Sequence, residues 1–462
     1  MHYSGSALVY APTDLSRWLS SPYASWMARY AAQSPESAPA CDQADEMLDR
    51  LATRGLAHED ALEEKFASQG LRVVNVMERV QAQAPQTAED ARAAALSLTR
   101  QLLEEGVDVV AQAMLERGSF RGYADFLVKV EGQSELGDFH YEVWDTKLAR
   151  RVKPGMVLQL CCYADMLDAL QGMRAEHLVV ALGNGINQRI PLLDCFDYYK
   201  AVKRSFQAAQ DAWHVDAEPD PADFSDYGNW SDYAAKRLEQ SDHLSRVARI
   251  TRRQIECLEA VGIDTMGALA GSGERYVPGL DASAMSWLVD QADLQIRSKE
   301  LDVPAYRLLD GGVDSATGLN ALPVASPLDV FFDIEGFPLE GEGLEYLWGC
   351  VSLDESDELV FRDWWAHDTR AERLAFESFI DWVHERWRED PGMHVYHYAP
   401  YEITACKRLA GVYATRESEL DDLLRNEVFV DLYAIVTHAL QVGEPRYSIK
   451  NVEKLYRQSR AT

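Results

Sequence analysis

The chain has 462 residues, 47% of them apolar, and its 75 acidic and 45 basic side chains give a formal net charge of −30. This length exceeds what one hydrophobic core normally supports, so two or three folded domains are expected. The acidity excludes a protein that coats nucleic acid through overall charge attraction, and any contact with phosphates must be local.

Seven scattered cysteines without CxxC spacing favour reduced thiols in a cytoplasm over a disulfide framework or a zinc site. No basic N-terminal stretch precedes an apolar core, and no apolar run is long enough to cross a bilayer. The sequence therefore predicts a soluble cytoplasmic protein without a membrane partner.

Residues 1–215 form the first predicted domain. Polar helical stretches extend to about Arg117 and include TAEDARAAALSLTRQLLEEG, whose apolar residues recur at helical spacing. Four runs then predict strands: FLVKVEG, FHYEVWDTK, HLVVALG and QRIPLLD. A helix at GMVLQLCCYADMLDAL separates the second strand from the third, and FDYYKAVKRSFQAAQDAW predicts a closing helix.

Residues 216–325 are predicted to form a linker and a helical region. The stretch HVDAEPDPADFSDYGNWSDY is rich in Pro, Asp and Ser without periodicity, which is typical of a linker. Farther on, IECLEAVGIDTMGALAG predicts two helices around Gly262. This segment is similar to a helix-hairpin-helix that presents backbone amides to phosphates, but a plain helical turn is favoured, because one glycine is a weak signal.

Residues 326–462 are predicted to form an α/β domain. Strands are expected at LDVFFDIEGF, YLWGCVSL, ELVFRDWWA and MHVYHYA, with a helix at AERLAFESFIDWVHERW before the last of them. The chain stops within a predicted helix at KLYRQSRAT. We expect a C-terminally incomplete domain in a fragment of a longer protein; an incomplete and inactive domain is the alternative.

An acid and a lysine share one face where the strand FHYEVWDTK ends, because side chains alternate along a strand. They are Asp145 and Lys147, and a short antiparallel connection brings Asp125 of the preceding strand close to Asp145. Paired carboxylates repel unless a cation holds them, and oxygen ligands suit Mg²⁺ or Mn²⁺. Such an ion activates a water for attack on a phosphodiester, and Lys147 adds positive charge beside the phosphate.

Two further groups of residues extend this candidate site. Gln159 and Tyr163 are four residues apart on the next helix, so they project from one face toward the metal or the DNA backbone. Arg150, Arg151 and Lys153 form a local basic patch, which fits either a nucleic-acid contact or a solvated loop.

The strings GYADFL, YEVWDTKL and QLCCYADML, in this order, resemble the PD-(D/E)XK nucleases of the RecB-like exonuclease group. In that family a GxxD strand, a D/ExK strand and a helical QxxxY motif line one metal site. The matching pairs are Gly122 with Asp125, Asp145 with Lys147, and Gln159 with Tyr163. Asp145 and Lys147 alone would favour a casual ion pair at a strand end, whereas the ordered set favours a site.

The resemblance also implies a restriction-endonuclease-like fold and one more metal ligand, a histidine on an upstream helix. His58 is the candidate, so the implied ligands are His58, Asp125 and Asp145. Many relatives hold an iron–sulfur cluster with four cysteines. Here Ser25 stands where a cysteine is expected and no cysteine cluster follows Tyr163, so we expect no such cluster, and Cys161 and Cys162 are assigned to core packing.

A second acidic set lies in the third domain. Asp333 and Glu335 of LDVFFDIEG share a face about 7 Å apart, and acids buried at a strand end are costly without a cation, so a metal pair is expected. This DxE strand resembles the first motif of RNase H-like DEDD exonucleases. VYHYAPYEITACKRL resembles their second motif, with Glu402 in place of an aspartate, whereas Asp431 is assigned a positional role.

These observations predict an α/β protein with a restriction-endonuclease-like PD-(D/E)XK domain, a helical linker region and a truncated RNase H-like domain. The predicted function is a Mg²⁺- or Mn²⁺-dependent deoxyribonuclease, an exonuclease on single-stranded DNA, in DNA repair or foreign-DNA processing. Expected partners are DNA, as single strands or duplex ends, and a helicase in continuation of the chain or in trans, although no GxxxxGK[ST] loop occurs in the 462 residues. The alternatives are 3′–5′ exonuclease catalysis by the RNase H-like domain and a non-cleaving, nucleic-acid-binding adaptor of a helicase.

Overall fold

The computed structural model describes residues 1–4, 7–43, 46–273, 275–309, 317–337, 343–354 and 356–456. The chain packs into two compact units, Met1–Arg237 and Leu238–Thr462. The predicted domain limits after residues 215 and 325 stay predictions. Over the described ranges, no helix is long and apolar enough to pass through a membrane.

The described residues of the first unit form a mixed set of helices and strands. The helices are α1 Pro12–Ser20, α2 Pro22–Gln33, α3 Glu46–Ser68, α4 Val76–Gln81, α5 Ala88–Glu104, α6 Pro154–Gln171, α7 Leu193–Asp211 and α8 Ser231–Gln240, which extends past the unit limit. The strands are β1 His2–Ser4, β2 Ala7–Val9, β3 Val73–Asn75, β4 Val109–Arg117, β5 Phe120–Ser134, β6 Gly137–Lys147, β7 His177–Leu182 and β8 Asn187–Pro191.

In the described part of this unit a six-stranded sheet has the order β3-β4-β5-β6-β7-β8. Strands β4, β5 and β6 form an antiparallel meander, and α6 then connects β6 to the parallel strand β7. Helix α6 packs its apolar side chains into the core, and both Cys161 and Cys162 are fully buried there, as predicted. Because a parallel connection needs a crossover, α6 lies above the sheet beside the ends of β5 and β6.

The predicted helical stretch up to Arg117 is wrong for its last residues. Helix α5 ends at Glu104, Gly106 has a φ of +67°, and residues 109–117 form strand β4. Val109, Val110 and the alanines that follow are buried inside the sheet. The β-branched valines and the pairing with the neighbouring strand favour a strand more than the alanines favour a helix, because strand preference depends mainly on packing.

The predicted linker packs against the first unit. Trp230 is buried, and its indole Nε1 donates to the Pro39 carbonyl at 3.2 Å. Tyr227 stacks edge-on against buried Tyr23, with ring centroids 5.5 Å apart. The aromatic residues in the Pro- and Asp-rich stretch bury apolar area, which is the physical reason that this segment is ordered.

Asp165 of α6 has hydrogen-bond partners on β4 and α7. Asp165 accepts hydrogen bonds from Tyr199 Oη at 2.8 Å and from Lys203 Nζ at 2.6 Å, and Arg117 Nη1 lies 2.8 Å from it. Burial by itself raises the pKa of Asp165, but the hydrogen bonds from Lys203 and Tyr199 and the charge of Arg117 hold it below its ordinary value. The acid therefore fixes α6 against its neighbours.

The described residues of the second unit contain the remaining elements. The helices are α9 Arg252–Glu259, α10 Met266–Ala270, α11 Ala282–Ser298, α12 Thr369–Glu389, α13 Tyr401–Tyr413, α14 Glu417–Arg425, α15 Leu432–Ala439 and α16 Ile449–Val452. The strands are β9 Tyr306–Leu308, β10 Val330–Phe337, β11 Leu344–Leu353, β12 Leu359–Trp365, β13 Val395–His397, β14 Phe429–Asp431 and β15 Leu440–Val442.

The helix-hairpin-helix-like segment is α9, a turn at Gly262 (φ +76°) and α10. The amides of Val261, Gly262 and Ile263 donate to carbonyls of α9 at 2.9–3.1 Å, and the Asp242 carboxylate accepts the Gly267 amide at 2.7 Å. These amides are bonded within the chain, as in a plain helical turn.

Over the described residues of this unit, a five-stranded sheet has the order β12-β11-β10-β13-β14. Strand β10 is antiparallel to β11 and parallel to β13. Alternate side chains of β10 face opposite ways, so Phe332 is buried against Phe379 of α12, whereas Phe331 is 52% exposed. One face of the sheet thus carries the helical layer with the core, and the opposite face carries Phe331, Asp333 and Glu335.

Candidate functional site

The first candidate site lies where the pairing of β5 with β6 ends. The last residue pair of the ladder at this end is Phe126 with Trp144. Beyond it, Asp125 Oδ2 accepts hydrogen bonds from the Thr146 amide at 2.8 Å and from Thr146 Oγ1 at 3.0 Å. A side-chain carboxylate thus replaces a carbonyl in the ladder, which holds Asp125 at the end of β6.

Asp145 is a buried acid whose nearest partner is Lys147. Its side chain is 1% exposed, and Lys147 Nζ lies 2.5 Å from its Oδ2. Neither oxygen accepts a hydrogen bond of regular geometry within the described residues, although Lys147 and Asp125 both lie close enough to interact with it. Burial, and then the charge of Asp125, raise the pKa of Asp145 to about 7, although Lys147 lowers it. A buried carboxylate in this state is costly unless a further cation compensates it.

Tyr163 of α6 lies close to the two acids, and Gln159, one helical turn earlier, lies against Tyr163. Burial and the charges of Asp125 and Asp145 raise the pKa of the Tyr163 hydroxyl, while a hydrogen bond from Gln159 lowers it. Gly122 of β5 makes room for this ring, because a β-carbon there would lie 3.0 Å from the Tyr163 hydroxyl oxygen. The GxxD glycine and the QxxxY tyrosine are therefore packed against each other.

The histidine implied by the resemblance points to a neighbouring strand. Nε2 of His58, on α3, lies 3.2 Å from the carbonyl oxygen of Ala181 on β7. His58 as a metal ligand stays a prediction. Successive helical residues point in directions about 100° apart, so Glu59 points away from His58. The pKa of Glu59 is raised by the charge of Asp125.

Glu59 is an acid of this site that the sequence did not single out. Burial, and then the charge of Asp125, raise its pKa to about 7, and it accepts a hydrogen bond from Gln112 Nε2. Gln112 has a φ of +49°, and the regular pairing of β4 with β5 skips it. Such a strained residue is characteristic of functional sites. HEDALEE offers three other acids, so spacing alone gave no reason to choose Glu59.

The predicted basic patch lies in the loop between β6 and α6, directly after Lys147. Arg151 and Lys153 are exposed, and Arg150 is half-buried. Their contact with nucleic acid stays a prediction.

The donor set can be tested against the predicted metal. Within the described residues, no group of three or more His, Cys, Asp or Glu side chains is arranged to hold a metal ion. Asp125 and Asp145 nevertheless offer two adjacent carboxylates, one of them buried and paired with Lys147. Mg²⁺ often takes one or two protein carboxylates and keeps several waters. The pair fits a hard divalent ion that receives its other ligands from water or substrate.

The second candidate site lies on the face of the sheet opposite the helical layer of the second unit. Asp333 and Glu335 of β10 are exposed, which corrects the expectation that both strand acids are buried; Glu402 of α13 is buried. Partial burial and the charge of Glu402 raise the pKa of Asp333. The alternation along β10 explains the exposure, because the buried positions fall on Val330 and Ile334.

His397 and Asp431 organise this second site. His397 Nδ1 lies 3.6 Å from Glu402 Oε2. Burial alone lowers the pKa of His397, but Glu402, the Ala399 carbonyl and Asp431 together raise it above its ordinary value. Asp431 Oδ1 accepts the amides of Ala399 and Tyr433, each at 2.9 Å. Asp431 therefore caps α15 and holds Ala399, whose φ is +74°, in agreement with a positional role.

A pocket of about 460 Å³ opens at these acids. Asp333, Glu335 and Glu402 line one part, and Phe331, Phe361 and Tyr396 are among the residues that line the rest. The site thus combines carboxylates with aromatic walls, unlike the site of the first unit, where Asp145 is buried.

Residues 330–462 match the family model of the RNase H superfamily. This segment contains the five-stranded sheet and both elements that carry the second acidic set, so the predicted RNase H-like domain is confirmed there. A comparison of the chain with curated proteins finds no match. RNase H-like proteins are generally hydrolytic nucleases that use divalent metals, so the match supports nuclease-type activity on nucleic acid.

Proposed function

We propose that the chain is a Mg²⁺- or Mn²⁺-dependent deoxyribonuclease, an exonuclease on single-stranded DNA, with its hydrolytic site at Asp125, Asp145 and Lys147. The observation that carries the proposal is the Asp145 carboxylate, which is 1% exposed, is paired with Lys147 and lies close enough to Asp125 for that second carboxylate to raise its pKa. Natural cores rarely retain such a group without a function.

Each residue has a distinct part in this proposal. Asp125 and Asp145 would hold the divalent ion, which when bound supplies an activated water and charge stabilisation. Lys147, with its Nζ beside Asp145, is placed to stabilise the negative charge that develops on the phosphate. Gln159 and Tyr163 orient the substrate or the carboxylates from α6.

The order of these residues along the fold supports a PD-(D/E)XK site. The GxxD motif lies on β5, the DxK motif ends the adjacent antiparallel strand β6, and the QxxxY motif lies on α6, which follows it. This is the arrangement that the resemblance implies. DNA repair or foreign-DNA processing and a helicase partner belong to the same proposal.

A second candidate function is 3′–5′ exonuclease activity at Asp333, Glu335 and Glu402. The match of residues 330–462 to the RNase H superfamily favours it. So does the proximity of Asp333 to Glu402, which raises the pKa of Asp333. In this alternative the first unit binds DNA and the second cuts it.

Cleavage assays with two single variants separate these functions. Full-length protein is incubated with Mn²⁺ and end-labelled single-stranded DNA or RNA, and Lys147→Ala is compared with Asp333→Ala. We expect Lys147→Ala to abolish DNA cleavage and Asp333→Ala to retain it. The reverse pattern would transfer catalysis to the second unit. Metal-dependent binding without product in the unmodified protein would favour the non-cleaving adaptor.

A further inference from the structure

Two cysteine side chains meet between the helices α6 and α7. The sulfur atoms of Cys161 and Cys195 lie 3.4 Å apart, and the Cys161 thiol donates to the Cys195 sulfur. Both are free thiols. A disulfide has a sulfur–sulfur distance of about 2.05 Å, so bond formation requires an approach of about 1.4 Å. The two thiols are therefore already in contact.

Hydrogen bonds one helical turn farther on hold the two helices together at this point. Asp165, four residues after Cys161 on α6, accepts hydrogen bonds from Tyr199 at 2.8 Å and from Lys203 at 2.6 Å. Tyr199 lies four residues after Cys195 on α7. The packing of α6 on α7 thus fixes the two sulfurs as neighbours, and groups held in contact react much faster than the same groups free in solution.

The two thiols differ in their access to solvent. Cys161 is fully buried, whereas Cys195 is partly exposed. Burial raises the pKa of Cys195, but the hydrogen bond from Cys161 opposes this effect. Burial and the neighbouring Cys195 raise the pKa of Cys161 far above its ordinary value. Since the thiolate is the reactive form of cysteine, a small oxidant reacts first with Cys195.

We propose that Cys161 and Cys195 are a redox modification site, at which hydrogen peroxide converts the two thiols into a reversible disulfide between α6 and α7. Cys195 is the sulfur that peroxide attacks, and Cys161 is the sulfur that closes the bond. The protein is reduced in its resting state, so the proposal agrees with free thiols in the absence of an oxidant.

The reaction takes place in two steps. The Cys195 thiolate attacks one oxygen of hydrogen peroxide, and the O–O bond breaks to give a sulfenic acid and hydroxide, which takes up a proton to form water. The Cys161 sulfur then attacks the Cys195 sulfur, and the hydroxyl group leaves with the Cys161 proton as a second water. Two thiols are oxidised and one peroxide is reduced to two waters. A thiol reductant restores the starting state.

The bond would fix the helix that carries the QxxxY motif. Gln159 and Tyr163 lie two residues before and two residues after Cys161 on α6. A link from Cys161 to Cys195 closes a loop that contains β7 and β8. A closed loop limits the freedom of the unfolded chain, so the disulfide stabilises the folded first unit. This modification goes beyond the proposed nuclease function and does not depend on it.

Peptide mapping tests the bond directly. The reduced full-length protein is treated with a small molar excess of hydrogen peroxide, free thiols are blocked with N-ethylmaleimide in urea, and the tryptic peptides are analysed by mass spectrometry without reduction. We expect one linked species that joins the peptides of Cys161 and Cys195 and disappears with dithiothreitol. The proposal is overturned if Cys195 is recovered as a sulfinic or sulfonic acid beside a free Cys161, or if both stay reduced while the exposed Cys41 is oxidised.

Cys162 provides the matched control, because it follows Cys161 on α6, is equally buried and lies on the same tryptic peptide. Cys162→Ala should retain the link, and Cys161→Ala should abolish it. Cys195→Ala, at a partly exposed position, makes the same test if Cys161→Ala does not fold. Protein that is unfolded in urea before oxidation should give mixed pairings, and a folded protein with the same mixture would show that the fold does not select this pair.

Thermal unfolding provides an independent measurement. Oxidation should raise the Tm of the parent protein by about 5–10 °C, because the disulfide restricts the unfolded chain. Dithiothreitol should reverse the shift, and peroxide should leave the Tm of Cys195→Ala unchanged. A Tm that falls when the link forms would mean that the bond distorts the packing of α6 on α7, which overturns a site prepared by the fold. Both measurements are made without DNA, so this site and the nuclease function can fail separately.

Discussion

The two acidic sites place similar carboxylates in opposite surroundings. In the first unit Asp145 is buried in the sheet, 2.5 Å from Lys147. In the second unit Asp333 is exposed in a pocket with aromatic walls, and the neighbouring acid Glu402 is buried. Burying a charge costs free energy, but a buried charge interacts strongly with an ion or a phosphate. An exposed charge costs little free energy and is accessible to a ligand.

The comparison separates two tasks of a nuclease. The first site holds the charges of Asp145 and Lys147 in fixed positions in a partly buried place, which favours transition-state stabilisation. The second site has an open pocket with aromatic rings, which favour the binding of a nucleic-acid strand by base stacking.

The largest effect expected is on catalysis. Asp145→Asn should lower the single-turnover rate of DNA cleavage about 1,000-fold, because it removes a carboxylate that would hold the metal. Asp333→Asn, the same change at the open site, should lower that rate less than about tenfold if the second unit mainly binds. Rapid-quench measurements with saturating Mn²⁺ compare them, and equal losses would mean that both units act in one reaction.

The same variant should increase stability. In metal-free buffer near pH 8, Asp145→Asn removes a buried charge for which burial and the charge of Asp125 outweigh the pairing with Lys147, so the free energy of unfolding should rise by about 1–3 kcal/mol. Urea titration followed by circular dichroism measures the change, with Asp333→Asn, at an exposed position, expected within about 0.5 kcal/mol of the parent. A destabilised Asp145→Asn protein would mean that the ion pair with Lys147 outweighs the burial cost.

Two glycines test how closely each site is packed. A β-carbon at Gly122 would lie 2.9 Å from Pro12 Cδ and 3.0 Å from the Tyr163 hydroxyl oxygen. At Gly336 it would lie 2.5 Å from the Tyr401 hydroxyl oxygen and 2.6 Å from Glu345 Oε2. Either Gly→Ala change should cost about 1–3 kcal/mol of stability.

Their effects on cleavage should differ. Gly122→Ala displaces Tyr163 and should also slow DNA cleavage, while Gly336→Ala should leave the cleavage rate per folded molecule unchanged. Thermal unfolding together with active-site titration distinguishes these results. A Gly122→Ala protein that cleaves normally would remove Tyr163 from the proposed machinery.

The smallest effect expected comes from a half-buried acid, Asp165, that has hydrogen-bond partners. Asp165→Asn should destabilise the protein by about 1–2 kcal/mol near neutral pH, the opposite sign to Asp145→Asn, because Lys203 and Tyr199 lose a charged acceptor. The pKa of Asp165 is lowered by folding, so its contribution is present above its unfolded pKa and is lost as pH falls through the folded one. The difference between variant and parent should therefore shrink below about pH 4; a gap that persisted in acid would contradict the assignment.

Some features of the fold were readable from local pattern and others were not. The strands β5 and β6, the helix α6 and the alternation along β10 follow from residue spacing, whereas which face of β10 is exposed does not. Strand β4 does not follow from local pattern, because VVAQAMLER has alanines that suit a helix as well as a buried strand. The composition of the segment before α8 predicts a linker, although Tyr227 and Trp230 pack it against the rest of the first unit.

The sequence by itself determined that Asp125, Asp145, Lys147, Gln159 and Tyr163 lie on adjacent elements, since period and order are local properties of a chain. Only the tertiary structure decided which acids are buried, that the charge of Asp125 acts on Glu59 while His58 lies against Ala181, and that aromatic residues form a pocket with Asp333 and Glu402. Burial and electrostatic coupling depend on what packs over a residue from distant parts of the chain. No local pattern contains that information.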